Sequence, residues 1–576
     1  MEETILIHLA NENDCFSLDA HQFCIRFKII KGSILRAYIH VCDKYISNIS
    51  KTPLSDTILR FPMKKVASDT EFDYFETIVF ERMITFSYFF EVVDSSKNSS
   101  YYGNFQWFKK KIELLDQMFE CPQIARFQNN LFTPSWAKGA IGYQIFPDSY
   151  ARLHEKKEQH AAWNKVPVTP SDRFGGELCG ITAHLNYIKE LGVDFIYLNP
   201  IFLSPSTHRY NITDYYTIDP DLGKTKDLIQ LVKKAHKLGI KIILDGVFNH
   251  VSTDFFAFKD VVKKQEKSKY KDWFYIEDFP LHNAHDEKPN YESFAYIGGM
   301  PKLNVANPKV QKYLLSVVRY WMKKASIDGW RIDVADEMPY SFLIALKKCI
   351  KDMNSEAIMI AEVWHYRFDF LRKELFDGLM NYPFYYALKN WLITHEYRIN
   401  DFGKELAFMR GNFTYETYHT SWNMLDSHDT ARFLSGCESQ DDFLLAVVLQ
   451  LTLPGSPVIY YGDEVGLNGY SDPDCRRSML WDSSQNTKIL NLYKKLIALR
   501  NTHTALKTGD FRMIEATIKS QLLIFSRFDE NEEIRIIINA SNSPQSHTVE
   551  GIDLFSKLAV LKKIPAKSFY IVKLNS

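Results

Sequence analysis

Residues 329–337 read GWRIDVADE. Trp330, Ile332 and Val334 alternate with Arg331, Asp333 and Ala335, the two-residue period of a buried strand, which puts Arg331 and Asp333 on the same face. A guanidinium beside a carboxylate favours the ionised form, which a nucleophile needs and a core residue does not. Asp333 is therefore the first nucleophile candidate, and a buried structural ion pair with Arg331 is the plainer alternative.

Three other stretches share this shape, an apolar run that ends in charge: KIILDGVFNH (241–250), AIMIAEVW (357–364) and SWNMLDSHDT (421–430). In a parallel α/β barrel every strand delivers its C-terminal end to one face, where catalytic groups gather. That arrangement would bring Asp245, Asn249, His250, Arg331, Asp333, Glu362, His428 and Asp429 into one pocket. Taken alone, an Asp at a strand end such as Asp245 is more often a turn former or helix cap.

The rest of the chain fits a barrel between two β domains. Residues 1–125 contain the short alternating runs FCIRFKII, LRAYIHVC, YFETIVF and ITFSYFFEVVD, which predict an N-terminal β-sandwich. A spacer near FQNNLFTPSWAKGA precedes the catalytic region, 126–505. There GAIGYQIF, DFIYLNP, KIILDGVFNH, GWRIDVA, AIMIAEVW, GLMNYPF, SWNMLDSHDT and PVIYYGDE predict eight strands separated by helical patterns such as GITAHLNYIKELG and DLIQLVKKAHKLG. Repeated β-then-α order argues for a parallel sheet with helices outside it. The rhythm breaks after the third strand, at 251–304, as expected of an inserted lobe that walls the pocket. Residues 506–576 return to alternating patterns and predict a C-terminal β-sandwich.

Composition narrows the class. A chain of 576 residues holds several domains, and 70 basic against 70 acidic residues leave no field to attract nucleic acid or an anionic membrane. No apolar run approaches the roughly 18–20 residues of a membrane span, and the acidic N-terminus is unlike a signal peptide, so a cytoplasmic protein is expected. The eight cysteines lack the paired spacing of a zinc site and read as reduced, buried thiols.

The ordered set DGVFNH, GWRIDVADE, AEVW and LDSHDT, with MPKLN (300–304), YQIFPDSY, FGGELCGI, IFLSPSTHRYN and YYGDEVGLNGYSDPDCRRSMLWD, resembles the α-amylase superfamily, within it the neopullulanase, cyclomaltodextrinase and maltogenic amylase group. The resemblance runs over essentially the whole length. It implies retaining cleavage of α-1,4 glucosidic bonds, with α-1,6 bonds as a further target, in cyclodextrins, maltooligosaccharides, pullulan or starch, with transglycosylation where a sugar replaces water. Asp333 would be the nucleophile and Glu362 the general acid and base. Asp429 would hold the hydroxyls of the reacting sugar with His250 and His428. Arg331 would keep Asp333 charged, while Val363 and Trp364 beside Glu362 would raise its pKa. Asp245 and Asn249 would shape the floor, Tyr210 would stack under the glucose with His208 beside it, Phe294 and Trp364 would flank the leaving group, and Glu337 would lie near the acceptor.

The same resemblance implies a homodimer in which the N-terminal domain of one subunit covers the other's pocket. Tyr101, Tyr102 and Trp107 of that domain suit sugar binding or dimerisation. Asn211 stands where the family usually has Asp, and Asp336 where the group often has Asn. The run SYARLHEKKEQH (149–160) replaces an oxygen-rich calcium loop, and its lysines and histidines cannot cage a hard cation, so neither calcium nor another cofactor is expected. Two other functions remain open on the same scaffold: an α-glucan isomerase or glucosyltransferase, and a catalytically silent binding protein.

Overall fold

The computed structural model describes residues 4–11, 13–18, 22–43, 57–80, 86–121, 133–154, 158, 160–282, 288–372, 375–547, 549–560 and 563–574. The expected junction at 125/126, much of the spacer, and residues 155–157 and 159 of the SYARLHEKKEQH run lie outside them.

Eight parallel strands close a barrel in sequence order: β1 (Gly142–Ile145), β2 (Phe195–Leu198), β3 (Lys241–Gly246), β4 (Gly329–Ile332), β5 (Ile358–Val363), β6 (Gly378–Asn381), β7 (Trp422–Asn423) and β8 (Ser456–Tyr460). Ile242, Ile243 and Leu244 are all buried because strands of a parallel barrel face helices on one side and the barrel interior on the other. Inside, Trp422 of β7 packs on Phe195 and Tyr197 of β2, both at 5.3 Å between rings. Gly142 makes room for this layer: a Cβ there would lie 2.4 Å from the Phe195 ring.

Three local expectations are corrected. The β4 alternation does not run through Ala335; the strand ends at Ile332. Asp333 continues the ladder by one bond, its N–H to Gly246 O at 3.2 Å, and Val334 then turns into the left-handed region at φ 45°. For a β-branched residue that conformation costs about 1–3 kcal/mol. Second, β7 is only two residues long, so His428 and Asp429 come from the loop that follows it. Third, the helix expected over 180–192 is two pieces, Leu178–Ala183 and Leu185–Leu191, interrupted at His184.

The lobe after β3 carries the helix Phe256–Lys264 and returns beside its own start. Leu303 N–H donates to Asn249 O at 2.9 Å and Val251 N–H to Pro301 O at 3.1 Å, which locks MPKLN against VFNH. A lobe closed on itself in this way sets its aromatics over the barrel mouth.

Ahead of the barrel, one ten-stranded sheet doubles over on itself. The strand Leu59–Ser68 makes the fold, pairing with Arg36–Asp43 through residues 59–63 and with Phe72–Phe80 through residues 64–68. Phe23, Ile25, Phe27 and Phe75 meet Ile39, Val41, Phe90 and Val92 between the two layers, so the unit is a sandwich. Tyr102 belongs to this core and Trp107 packs on it at 5.0 Å. After the barrel, the antiparallel strands Asp510–Thr517, Leu522–Phe528, Glu533–Asn539 and Ser568–Lys573 form one sheet. Its Phe525, Ile536 and Ile538 join the barrel core; its outer face, with Ile524 and Ile537, packs under Ile564 of a two-stranded ribbon. Six of the eight cysteines are buried; Cys179 and Cys437 are half-buried.

Candidate active site

Strands β3, β4 and β5 are neighbours, with Asp245 opposite Arg331 and Arg331 opposite Ile360. This register places Asp245, Asp333 and Glu362 around one fully buried guanidinium. Arg331 Nη1 donates to Asp245 Oδ1 at 2.9 Å and to Asp333 Oδ1 at 2.7 Å. Its Nη2 lies 2.9 Å from Glu362 Oε2 but off the N–H direction, so that contact is charge attraction rather than a hydrogen bond. Glu362 Oε2 instead accepts the Val334 N–H at 2.9 Å. The strained turn after Asp333 thus aims a backbone donor at the second carboxylate.

The expected division of labour by Arg331 is corrected by this geometry, because the guanidinium serves both carboxylates. Burial pushes Asp333 well above the usual carboxylate range; Arg331 pulls it down, while Glu362 and Asp245 push it further up. Burial raises Asp245 as well, against Arg331. Nor do Val363 and Trp364 surround the Glu362 carboxyl, since adjacent strand residues face opposite ways: Val363 lies in the core and Trp364 is 38% exposed at the rim. Asp245 and Asp333 are both raised on one shared cation, so their titration belongs to the pair rather than to either residue.

Two tyrosines tie Asp245 into the floor. Asp245 Oδ2 accepts from Tyr197 at 2.6 Å and from Tyr210 at 2.9 Å. Tyr210 also contacts His428 Nε2 at 2.5 Å, with the two rings stacked at 5.4 Å and 12°, and His208 lies at 6.0 Å on the same ring. Gln144 of β1 donates to His428 Nδ1 at 2.9 Å, which assigns the proton to Nε2, 3.1 Å from Asp429 Oδ2. Burial pushes His428 well below its ordinary value, His208 down to about 4 and His250 down to about 3. All three are neutral rings near neutral pH, suited to sugar hydroxyls.

Asp429 is held by Arg476 Nη2 at 3.3 Å, and Arg476 in turn by Asp472 at 2.7 Å. Burial and then the nearby Glu362 raise Asp429 to about 7. His250 stacks on Phe294 at 4.6 Å and 16°, with its Nε2 buried and without a partner among the described residues. Asn249 donates to Glu337 at 3.0 Å, and Lys302 of MPKLN pairs with the same Glu337 carboxylate at 2.9 Å. Trp364 stacks on Tyr382 at 4.0 Å and 15°, an exposed aromatic step beside Glu362.

Every residue proposed from the sequence therefore lies at this face, with Glu337 and Trp364 at its edge. Gln144, Lys302, Tyr382, Asp472 and Arg476 are additions. The charged run DPDCRR in the loop beyond β8 was the available signal for the last two; Gln144 and Tyr382 sit in runs with no charge to mark them. The departures are also placed: Asn211 Oδ1 accepts from Ser204 at 2.7 Å and from Ser206, which shapes the SPSTHRYN turn, and Asp336 faces His365 at 3.7 Å.

A closed barrel that gathers paired carboxylates, neutral histidines and exposed rings at the C-terminal ends of its strands is the constellation of a barrel glycosidase. The chain belongs to the α-amylase family, matching the α-amylase catalytic domain over residues 144–487 and the α-amylase N-terminal ig-like domain over residues 1–125. It is 37% identical to a neopullulanase 2 of Thermoactinomyces vulgaris over 548 residues, 94% of this chain and 92% of that one. It is also 37% identical to a cyclomaltodextrinase of Thermoanaerobacter pseudethanolicus across 100% of both chains. A solved cyclomaltodextrinase superposes with a TM-score of 0.89 at 32% identity, covering 99% of this chain and 98% of the other. The chain is an α-glucan hydrolase.

Proposed function

We propose that the chain hydrolyses α-glucosidic bonds of cyclodextrins and short maltooligosaccharides with retention of configuration. One observation carries the reading: Asp333 Oδ1 is fixed by Arg331, which Glu362 also approaches, while Oδ2 is buried and unpartnered among the described residues. A carboxylate with one oxygen anchored and the other free is placed for attack on an anomeric carbon. Retention asks for two carboxyl groups about 5–5.5 Å apart, a spacing that neighbouring strands supply.

In the first half-reaction Asp333 attacks as the carboxylate and Glu362, as general acid, gives a proton to the departing oxygen. The bond from the anomeric carbon to the leaving sugar breaks as the bond to Asp333 forms. Glu362, now ionised, takes a proton from water, which displaces Asp333 and restores the starting state. Neutral His250 and His428, with Asp429, hold the hydroxyls of the reacting sugar. The rim formed by Glu337, Lys302 and the Trp364–Tyr382 stack receives the leaving sugar, and an acceptor sugar there leads to transglycosylation.

The same reading includes a homodimer whose N-terminal sandwich lids the partner's pocket, and a cytoplasmic location. No helix of the described residues is long and apolar enough to cross a membrane. Calcium is not part of the proposed chemistry. The test is the initial rate on β-cyclodextrin and on soluble starch, with Asp333→Asn as the blank. A strong cyclodextrin preference supports a covered pocket; preference for starch removes the lid from the account. Failure on both, with isomerised or transferred sugars as products, would move the assignment to the isomerase or glucosyltransferase alternative.

A further inference from the structure

Outside the catalytic residues, three potential metal ligands of different chemistry converge where the segment after β1 meets the start of the helix Leu178–Ala183. His154 Nδ1, Glu177 Oε2 and Cys179 Sγ lie within 4.8 Å of one another. Cys179 Sγ donates to Glu177 Oε2 at 2.8 Å, His154 Nδ1 contacts the same oxygen, and Sγ lies 3.8 Å from Nδ1. Two shared protons thus occupy the space between an imidazole, a carboxylate and a thiol.

We propose that His154, Glu177 and Cys179 form a binding site for a borderline-soft divalent cation of the zinc class. Imidazole, thiolate and carboxylate are the ligand types such an ion takes, at about 2.0–2.3 Å each, which sets ligand atoms about 3.5 Å apart in a tetrahedron. The Sγ to Nδ1 separation already fits. The two contacts to Glu177 are closer because protons bridge them, and a small rotation of the carboxylate opens them. On binding, the thiol proton passes to solvent and the metal–sulfur bond replaces it; the Nδ1 proton moves through solvent to Nε2, so that His154 binds through Nδ1 as the neutral ring. The site then carries two negative charges against two positive ones.

The supporting backbone is already fixed. Glu177 N–H donates to Ala151 O at 2.9 Å and Gly176 N–H to Asp148 O at 2.7 Å, while Arg152 holds Phe174 O at 2.6 Å. A Cβ at Gly180 would lie 2.1 Å from Ala151 O, so the two segments touch and cannot spread. The cluster opens onto a hollow of about 760 Å³, which gives an ion a way in and leaves the fourth position to water. Lys224 and Lys226 on its wall are balanced by Asp221 and Asp227. Calcium is a hard cation that takes oxygen ligands, whereas sulfur and nitrogen select a softer ion. An ion here would tie the segment after β1 to the loop that carries Phe174, close to Asp148, which lines a hollow with His208 and Arg476.

The test is a cobalt(II) titration of the untagged, reduced, chelator-treated full chain, followed by its absorption spectrum. A thiolate-to-cobalt charge-transfer band saturating at one equivalent, displaced by zinc and not by calcium, is the expected result. Cys179→Ser should abolish the band. His154→Ala, a change at an exposed side chain that leaves the near-UV circular dichroism as it is, should weaken binding about tenfold or more and cancel the zinc-induced rise in Tm. No band at one equivalent, a band that persists in Cys179→Ser, or displacement by calcium as readily as by zinc would overturn the proposal.

Discussion

The barrel holds a fully buried arginine at each end, and the two do opposite work. At the mouth, Arg331 lies among Asp245, Asp333 and Glu362, and burial drives Asp245 and Asp333 upward against its pull. At the base, Arg500 donates to the carbonyls of Leu451 at 2.9 Å, Leu453 at 3.2 Å and Gly139 at 3.3 Å, and also reaches Gly455. Burial, and next its neighbour Arg527, pushes Arg500 well below the ordinary range of a guanidinium. The base arginine satisfies loop carbonyls that would otherwise be buried without a donor. The mouth arginine is surrounded by more negative charge than it can neutralise, and the surplus is what the chemistry uses. The same side chain is structural or functional according to whether its partners are dipoles or acids.

The largest expected effect breaks the mouth. Asp333→Asn should lower kcat by about 10⁴-fold or more, since the attacking atom is lost. Its Tm should not fall, because one of three crowded carboxylates is removed without a change of shape. A variant within tenfold of the parent's kcat would show that Asp333 is only a structural partner of Arg331.

The next pair crosses the two ends. Arg331→Met should cost about 10³-fold in kcat, as expected when preorganised charge at a reacting centre is lost. It should leave the fold intact, because the freed carboxylates can take up protons. Arg500→Met should do the reverse, destabilising by about 3–5 kcal/mol through unpaired buried carbonyls while the folded fraction keeps its kcat. Chemical denaturation with parallel rate measurements separates these outcomes. Equal loss of stability in both variants would erase the contrast between the ends.

A smaller effect tests the charge surplus through pH. Asp429 is raised to about 7 in the fold from an ordinary value of 3.8. Between those values the folded chain binds the proton that the unfolded chain has released. Its contribution is therefore fully present below about pH 3.8 and is lost as pH rises through about 7. Asp429→Asn should accordingly stabilise the protein at pH 8 by about 1–2 kcal/mol, a figure reduced for partial solvent screening, with the gain shrinking toward pH 5. A pH-independent difference in Tm would remove Asp429 from the coupled cluster.

How much of this was legible in the sequence depends on the kind of signal. Strand ends that combine an apolar run with charge, as in GWRID and KIILD, marked both the barrel and its reactive face, because burial on two sides leaves only the C-terminal tip free to be polar. The turn at Val334 was not legible. Its left-handed backbone contradicts the preference of a β-branched residue, and only the tertiary contact of its N–H with Glu362 accounts for it. Nor could sequence neighbours describe the surroundings of Glu362, since Val363 points away from it and its partners arrive from β4. Lys302 and Arg476 were hidden for a related reason: their partners, Glu337 and Asp429, are distant in the chain. The aromatics of the N-terminal sandwich illustrate the converse, with Tyr102 serving the domain core.

The smallest predicted effect lies at the rim. Lys302→Ala removes a partly exposed ion pair to Glu337 and should change the ratio of transfer to hydrolysis by about threefold, with kcat for hydrolysis little altered. Product analysis with maltose as added acceptor measures it, and an unchanged ratio would take Lys302 out of the acceptor region.

The most direct test of the central claim is to trap the covalent intermediate. Glu362→Gln, which keeps the nucleophile but slows its release, is incubated with an activated maltosyl fluoride, quenched, digested and mapped by mass spectrometry. The account predicts a maltosyl ester on the peptide containing GWRIDVADE, with the modified residue Asp333. A sugar attached to another carboxylate, or rapid turnover with inverted product and no adduct, would contradict it.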